Sequence, residues 1–157
     1  MKGWLGKGAQ QVRAVLKSRM RRYPDRREWD FGGHQVTRLI VDYAFGIEIW
    51  WKEGELDSHA RFTIESPFTL KIGSTEYLCD PANQPSVAPA LPLMARPVQS
   101  VAAFKNGLLV ISFLDAEIRV AKRSDGYETW NSQGSGELHD INMLCSSSEN
   151  TPWGDKA

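Results

Sequence analysis

The densest group of chemistry-bearing side chains in this 157-residue chain runs from Glu48 through Trp50 to Glu53, Glu55 and Asp57, in the stretch "EIWWKEGELD". A tryptophan flanked by carboxylates suits recognition of a basic partner protein: the indole offers a large apolar surface, and the carboxylates answer Lys or Arg. If the stretch begins as a strand, Glu48 and Trp50 project from the same face. The cluster lacks the DxDxDG register and distal Glu of a calcium loop, so its plainer alternative is a solvated turn. A second group, Tyr127, Glu128 and Trp130 in "GYETWN", allows either a ligand site or the last seam of a β core. Aromatic pairs at strand spacing are ordinary core material. Tyr127 and Trp130 are therefore expected to be structural, with the Trp130 indole N–H donating to a carboxylate or carbonyl.

Groups with catalytic spacing are not found. The chain has no GxSxG elbow, HExxH pair, P-loop or GxGxxG turn. His34, His59 and His139 stand singly, and Cys79 and Cys145 lack CxxC spacing. No catalytic residue, metal or cofactor is expected, and the protein is read as a non-enzyme.

Net charge is zero, but it is unevenly spread. Residues 1–30 hold nine Lys or Arg against three Asp or Glu, and the remainder is correspondingly acidic. Val12, Val15, Leu16 and Met20 fall at helical spacing, with Arg13, Lys17, Arg19, Arg21 and Arg22 on the other faces. The expectation is a basic amphipathic helix ending before Pro24, available to nucleic acid or an anionic membrane surface, or packed on the acidic domain behind it. The amino terminus lacks the uninterrupted apolar run and the cleavage site of a secretory signal, and "GLLVISFL" is too short for a spanning helix. A cytoplasmic location is expected.

The elements that must position these groups are strands. Apolar residues are 41% and charged residues 24% of the chain, an ordinary globular balance. From His34 the apolar period becomes two: Leu39, Val41 and Tyr43, then Phe45, Ile47, Ile49 and Trp51, then Phe62 and Ile64. "FTLKIGSTEYL" reads as a hairpin turning at Gly73-Ser74, and Asn106-Gly107 marks another between "VQSVAAF" and "LLVISF". Leu109, Ile111 and Phe113 with Leu108 and Val110 make a strand apolar on both faces, hence central. The prolines at 81, 85, 89, 92 and 97 interrupt the pattern, with a short helix expected around Pro89 and Pro92. The expected fold is mainly β (α+β): an antiparallel sheet, sandwich or partly open barrel of about eight or nine strands, with an N-terminal amphipathic helix and a short central helix. The organisation expected is a basic helical segment over 1–30, one β-rich domain over 31–145 and a loosely ordered tail over 146–157.

The succession "VTRLIVDYAFGIEIW", "FTIESPFTL" and "GLLVISFLDAEIRV" closed by "YETW" resembles a family of short bacterial, largely actinobacterial, β-rich domains of unknown function, over about residues 33 to 137. That resemblance implies a loose association with toxin and immunity loci. The function expected is a non-enzymatic protein-binding module, with neutralisation of a bacterial toxin as its specific form. The alternative is a nucleic-acid- or membrane-associated protein acting through the basic N-terminal helix.

Overall fold

The computed structural model describes residues 18–147 and 151–154. The described chain is mainly β and forms two antiparallel sheets. The first has the order β1-β2-β8-β9-β10-β6-β7, comprising Met20–Arg22, Arg26–Asp30, Val98–Phe104, Leu109–Phe113, Ala116–Val120, Phe68–Ile72 and Thr75–Cys79. The second has the order β12-β11-β5-β4-β3, comprising Met143–Ser146, Glu128–Ser135, Leu56–Ile64, Phe45–Glu53 and Val36–Val41. The sheets face each other across one apolar core and do not close into a barrel. Phe45 of β4 stacks on Phe68 of β6 at 5.3 Å, and Phe31 meets Phe62 of β5 at 6.1 Å.

Alternation explains which side chains enter that core. On β4, Phe45, Ile47, Ile49 and Trp51 are buried while Trp50 and Lys52 are exposed. The doubly apolar β9 is the middle strand of the first sheet, as its composition requires. Register then lines up Trp29, Val101, Ile111, Ile118 and Leu70 as one cross-strand row, all fully buried.

Three expectations are revised. The helix anticipated up to Pro24 is absent where the chain is described: Met20–Arg22 is strand β1, paired with β2. The two strands meet through a turn at Tyr23–Arg26 and pack Met20 and the buried Trp29 against the core, so this hairpin and its core contacts override a helical pattern whose first turns, with Arg13 and Lys17, lie outside the described residues. The strand number rises to twelve among the described residues, the additions being β1, β2 and β12. The central helix is a 3₁₀ helix over Gln84–Leu93, starting ahead of Pro89 and Pro92 rather than at them. Proline at 85, 89 and 92 removes the donors a continuous α ladder needs, and tighter turns tolerate that loss. Residues 151–154 lie against the domain. The Pro152 carbonyl accepts the Leu144 N–H at 2.9 Å, and Trp153 lies beneath the Arg27 guanidinium at 4.4 Å.

The turns behave as their glycines require. Gly73 and Gly54 have φ of +57° and +62°, while Ser74 and Glu55 have none in that range, the pattern of two-residue type II′ hairpins. Asn106-Gly107 closes a longer loop instead: Phe104 pairs with Leu108 and Gly107 takes φ +90°, the three-residue hairpin with a bulge.

Candidate functional site

The β4–β5 hairpin forms the centre of the second sheet's outer face. Its register places Glu48 opposite Arg61, Trp50 opposite His59, and Lys52 opposite Asp57. On the other side β3 sets Arg38 beside Glu48. Glu48 thus sits between two guanidiniums, 4.0 Å from Arg38 and 3.6 Å from Arg61, with its side chain 16% exposed. It is a spent charge, since the cross-strand pairs answer it within the sheet. Trp50 is different. It is 56% exposed on a strand paired on both sides, whereas Trp29, Trp51 and Trp130 are buried.

The five side chains expected to act together do not share one surface. Trp50, Glu48 and Asp57 lie on the outer face. Glu53 is three residues from Trp50 and so projects to the opposite face, where it acts electrostatically on His34. Glu55 occupies the turn itself. The face around Trp50 therefore carries Arg38, Arg61 and Lys52 against Glu48 and Asp57, and is not the acidic patch expected. Counting strand parity through Glu53 finds this split in the sequence, once the turn is known to be only two residues long.

At the end of the sandwich lies a second cluster that spacing alone does not reveal. His34 stacks on Trp51 with centroids 4.0 Å apart and planes at 4°, and Phe31 meets the same indole edge-on at 6.2 Å. Arg19 lies over Trp51 at 5.3 Å and bonds Glu137 at 2.8 Å. Glu137 is placed by a tight turn: Gly136 has φ +63° and an added Cβ would fall 2.4 Å from the Asp57 carbonyl, while the Glu137 N–H donates to Ser58 Oγ at 3.1 Å. Arg19 is thus engaged inside the domain, and Arg21 and Arg22 sit exposed on β1, so no continuous basic helix face exists among the described residues.

Burial lowers the His34 pKa, and Arg19 lowers it further against the opposing pull of Glu137 and Glu53. A histidine held below its unfolded value makes the unfolded chain the better proton acceptor. Its cost is absent well above the ordinary histidine range and grows as pH falls through that range toward the folded pKa. Urea midpoints at pH 8 and pH 5.5 should therefore differ less in H34Q than in the wild type; an equal difference in both would remove His34 as a contributor.

The expected structural pair also separates. Trp130 is fully buried and its indole N–H donates to the Gly107 carbonyl at 2.8 Å. Tyr127, in contrast, is exposed, with Arg123 over its ring at 5.7 Å. A register shift between Glu128 and Trp130 breaks the alternation there, and Thr129 and Trp130 are both buried. Cys79 and Cys145 are buried free thiols, and burial raises the pKa of each, so neither is primed as a thiolate. Among the described residues no three His, Cys, Asp or Glu side chains are placed to hold a metal ion, and no helix is long and apolar enough to cross a membrane.

The model of one family matches residues 28–146, most of the chain, and its description is "Family of unknown function (DUF6188)". The chain belongs to that family. Comparison with curated proteins and with solved structures gives no match to either.

Proposed function

We propose that this DUF6188 member is a non-enzymatic, cytoplasmic protein-binding module that presents the outer face of β3, β4 and β5 to a partner protein, with Trp50 as anchor. One observation carries the reading: a half-exposed indole held on a strand bonded on both sides, ringed by His59, Arg61, Lys52 and Asp57. A large aromatic that is already immobile loses little freedom on being covered, and such residues concentrate binding energy. Glu48, already answered by Arg38 and Arg61, would hold those arginines in place and contribute little charge of its own. Neutralisation of a toxin is the specific form that the resemblance implied, with this face masking the toxin's working surface.

The experiment is affinity capture with wild type and W50A, followed by calorimetry on the recovered partner. W50A should stay folded and lose about 2 kcal/mol or more, roughly 30-fold in affinity. Equal affinity for W50A would remove this face from the proposal. A second reading has its own support in the same place, because an indole beside Arg38, Arg61 and Lys52 also suits base stacking on a single strand of nucleic acid. Capture that disappears on nuclease treatment, with affinity falling steeply in salt, would select it.

A further inference from the structure

Among the described residues each sheet leaves two edge strands, and a bare edge is a template for pairing. Three of the four edges are blunted. β1 has only three residues and exposes Arg21 and Arg22. β3 carries a bulge between Val36 and Arg38, and β12 has an irregular register with β11 and gives its Leu144 N–H to Pro152. Among the described residues β7 has none of these devices, and the 3₁₀ helix that contacts it leaves Thr75, Glu76, Tyr77 and Leu78 exposed. Its pairing with β6 is unbroken over five residues, its single charge is Glu76, and Leu78 is 74% exposed.

The hairpin geometry decides which backbone groups β7 offers. The two-residue turn makes Ile72 and Thr75 a hydrogen-bonded pair, and alternation makes Leu70–Tyr77 and Phe68–Cys79 hydrogen-bonded pairs too. The N–H and C=O groups of Glu76 and Leu78 therefore point away from the sheet. Among the described residues, no turn bond reaches them. Beyond Cys79 the edge ends, because the Asp80 N–H turns to Ser86 Oγ at 2.8 Å.

We propose that β7 is the docking edge for a second copy of this chain, added antiparallel about a two-fold axis at Tyr77, so that two seven-stranded sheets become one. Only this centre uses all four outward groups of each copy without opposing like charges. Glu76 then faces Leu78 of the other copy as a hydrogen-bonded pair, twice by symmetry. A two-fold axis at Glu76 would oppose two carboxylates, and one at Leu78 would bring Glu76 onto Asp80. The inner face agrees. Tyr77 lies opposite Leu70 and continues the buried row Trp29–Val101–Ile111–Ile118–Leu70, of which it is the only exposed member. A second Tyr77 across the axis, in the closely spaced non-hydrogen-bonded position, extends that row. The surface is small, so the dimer is expected to be weak and concentration-dependent.

Sedimentation of the full chain up to about 1 mM, a range suited to an interface below standard size, should show reversible dimerisation. L78P removes an outward N–H without removing a backbone bond to β6, and should give a monomer. L78K places a cation opposite Glu76 and should bind at least as tightly as wild type, whereas L78E should weaken association tenfold or more. Y77C should cross-link between copies under copper phenanthroline, and E76C should not. Monomer at every concentration, equal effects of L78K and L78E, or an extended foreign peptide seated on β7 without self-association would each overturn the proposal. W50A should leave dimerisation unchanged, which separates this edge from the Trp50 face.

Discussion

A chain beginning at Phe31 is expected not to fold, whereas one beginning at Ser18 keeps every described strand and should unfold cooperatively. The first cut removes β1 and β2 and with them Trp29, which is fully buried and bonds Asp140 Oδ1 through its indole N–H at 2.9 Å. It also removes Arg19, leaving Glu137 without its ion-pair partner, and exposes the whole pairing edge of β8. Loss of a buried aromatic alone costs about 3–5 kcal/mol. With the five-residue β2–β8 ladder gone as well, the total exceeds what a domain of net stability about 5–15 kcal/mol withstands. Circular dichroism and urea unfolding of the two chains decide it. A cooperative transition in the shorter chain would show that β1 and β2 are dispensable. The comparison also bears on binding: any test of the basic amino terminus must cut before Ser18, or it reports unfolding and not lost electrostatics.

The second large effect is W130A, expected to cost about 3–5 kcal/mol in urea denaturation. Trp130 belongs to β11 in the second sheet, and its acceptor Gly107 belongs to the β8–β9 turn of the first, so the indole bonds across the two layers at a carbonyl that the Cys145 thiol also reaches at 3.5 Å. The acceptor site is tight. An added Cβ at Gly107 would lie 2.8 Å from Lys122 Cβ and 2.9 Å from Cys145 Sγ, so the turn that carries the acceptor admits only glycine. W130F should retain part of the packing but leave the buried Gly107 carbonyl with only the weak Cys145 thiol as donor, for a loss of about 1–3 kcal/mol. A cost under about 1 kcal/mol for W130A would mean the cavity relaxes, and the indole is then not the tie between sheets.

What the sequence alone determined is the local order. Alternation over Phe45–Glu53 chose the buried side chains of β4, the run apolar on both faces marked Leu109–Phe113 as a middle strand, and Gly54 and Gly73 supplied the positive φ that their tight turns require. These are properties of a few neighbouring residues, because side-chain parity and turn chemistry do not depend on what lies across the sheet. Only the tertiary structure decided the rest. Met20 falls at helical spacing but lies in a strand because β2 pairs with it, and Thr129 is buried beside Trp130 because the register shift at that point breaks the alternation. Glu48, Glu53 and Asp57 look alike in sequence, yet one is clamped by two arginines, one turns toward His34, and one lies beside Trp50. A side chain's direction is written in its own strand, whereas the charge and cover it meets come from residues as far away in sequence as Glu137 is from Arg19.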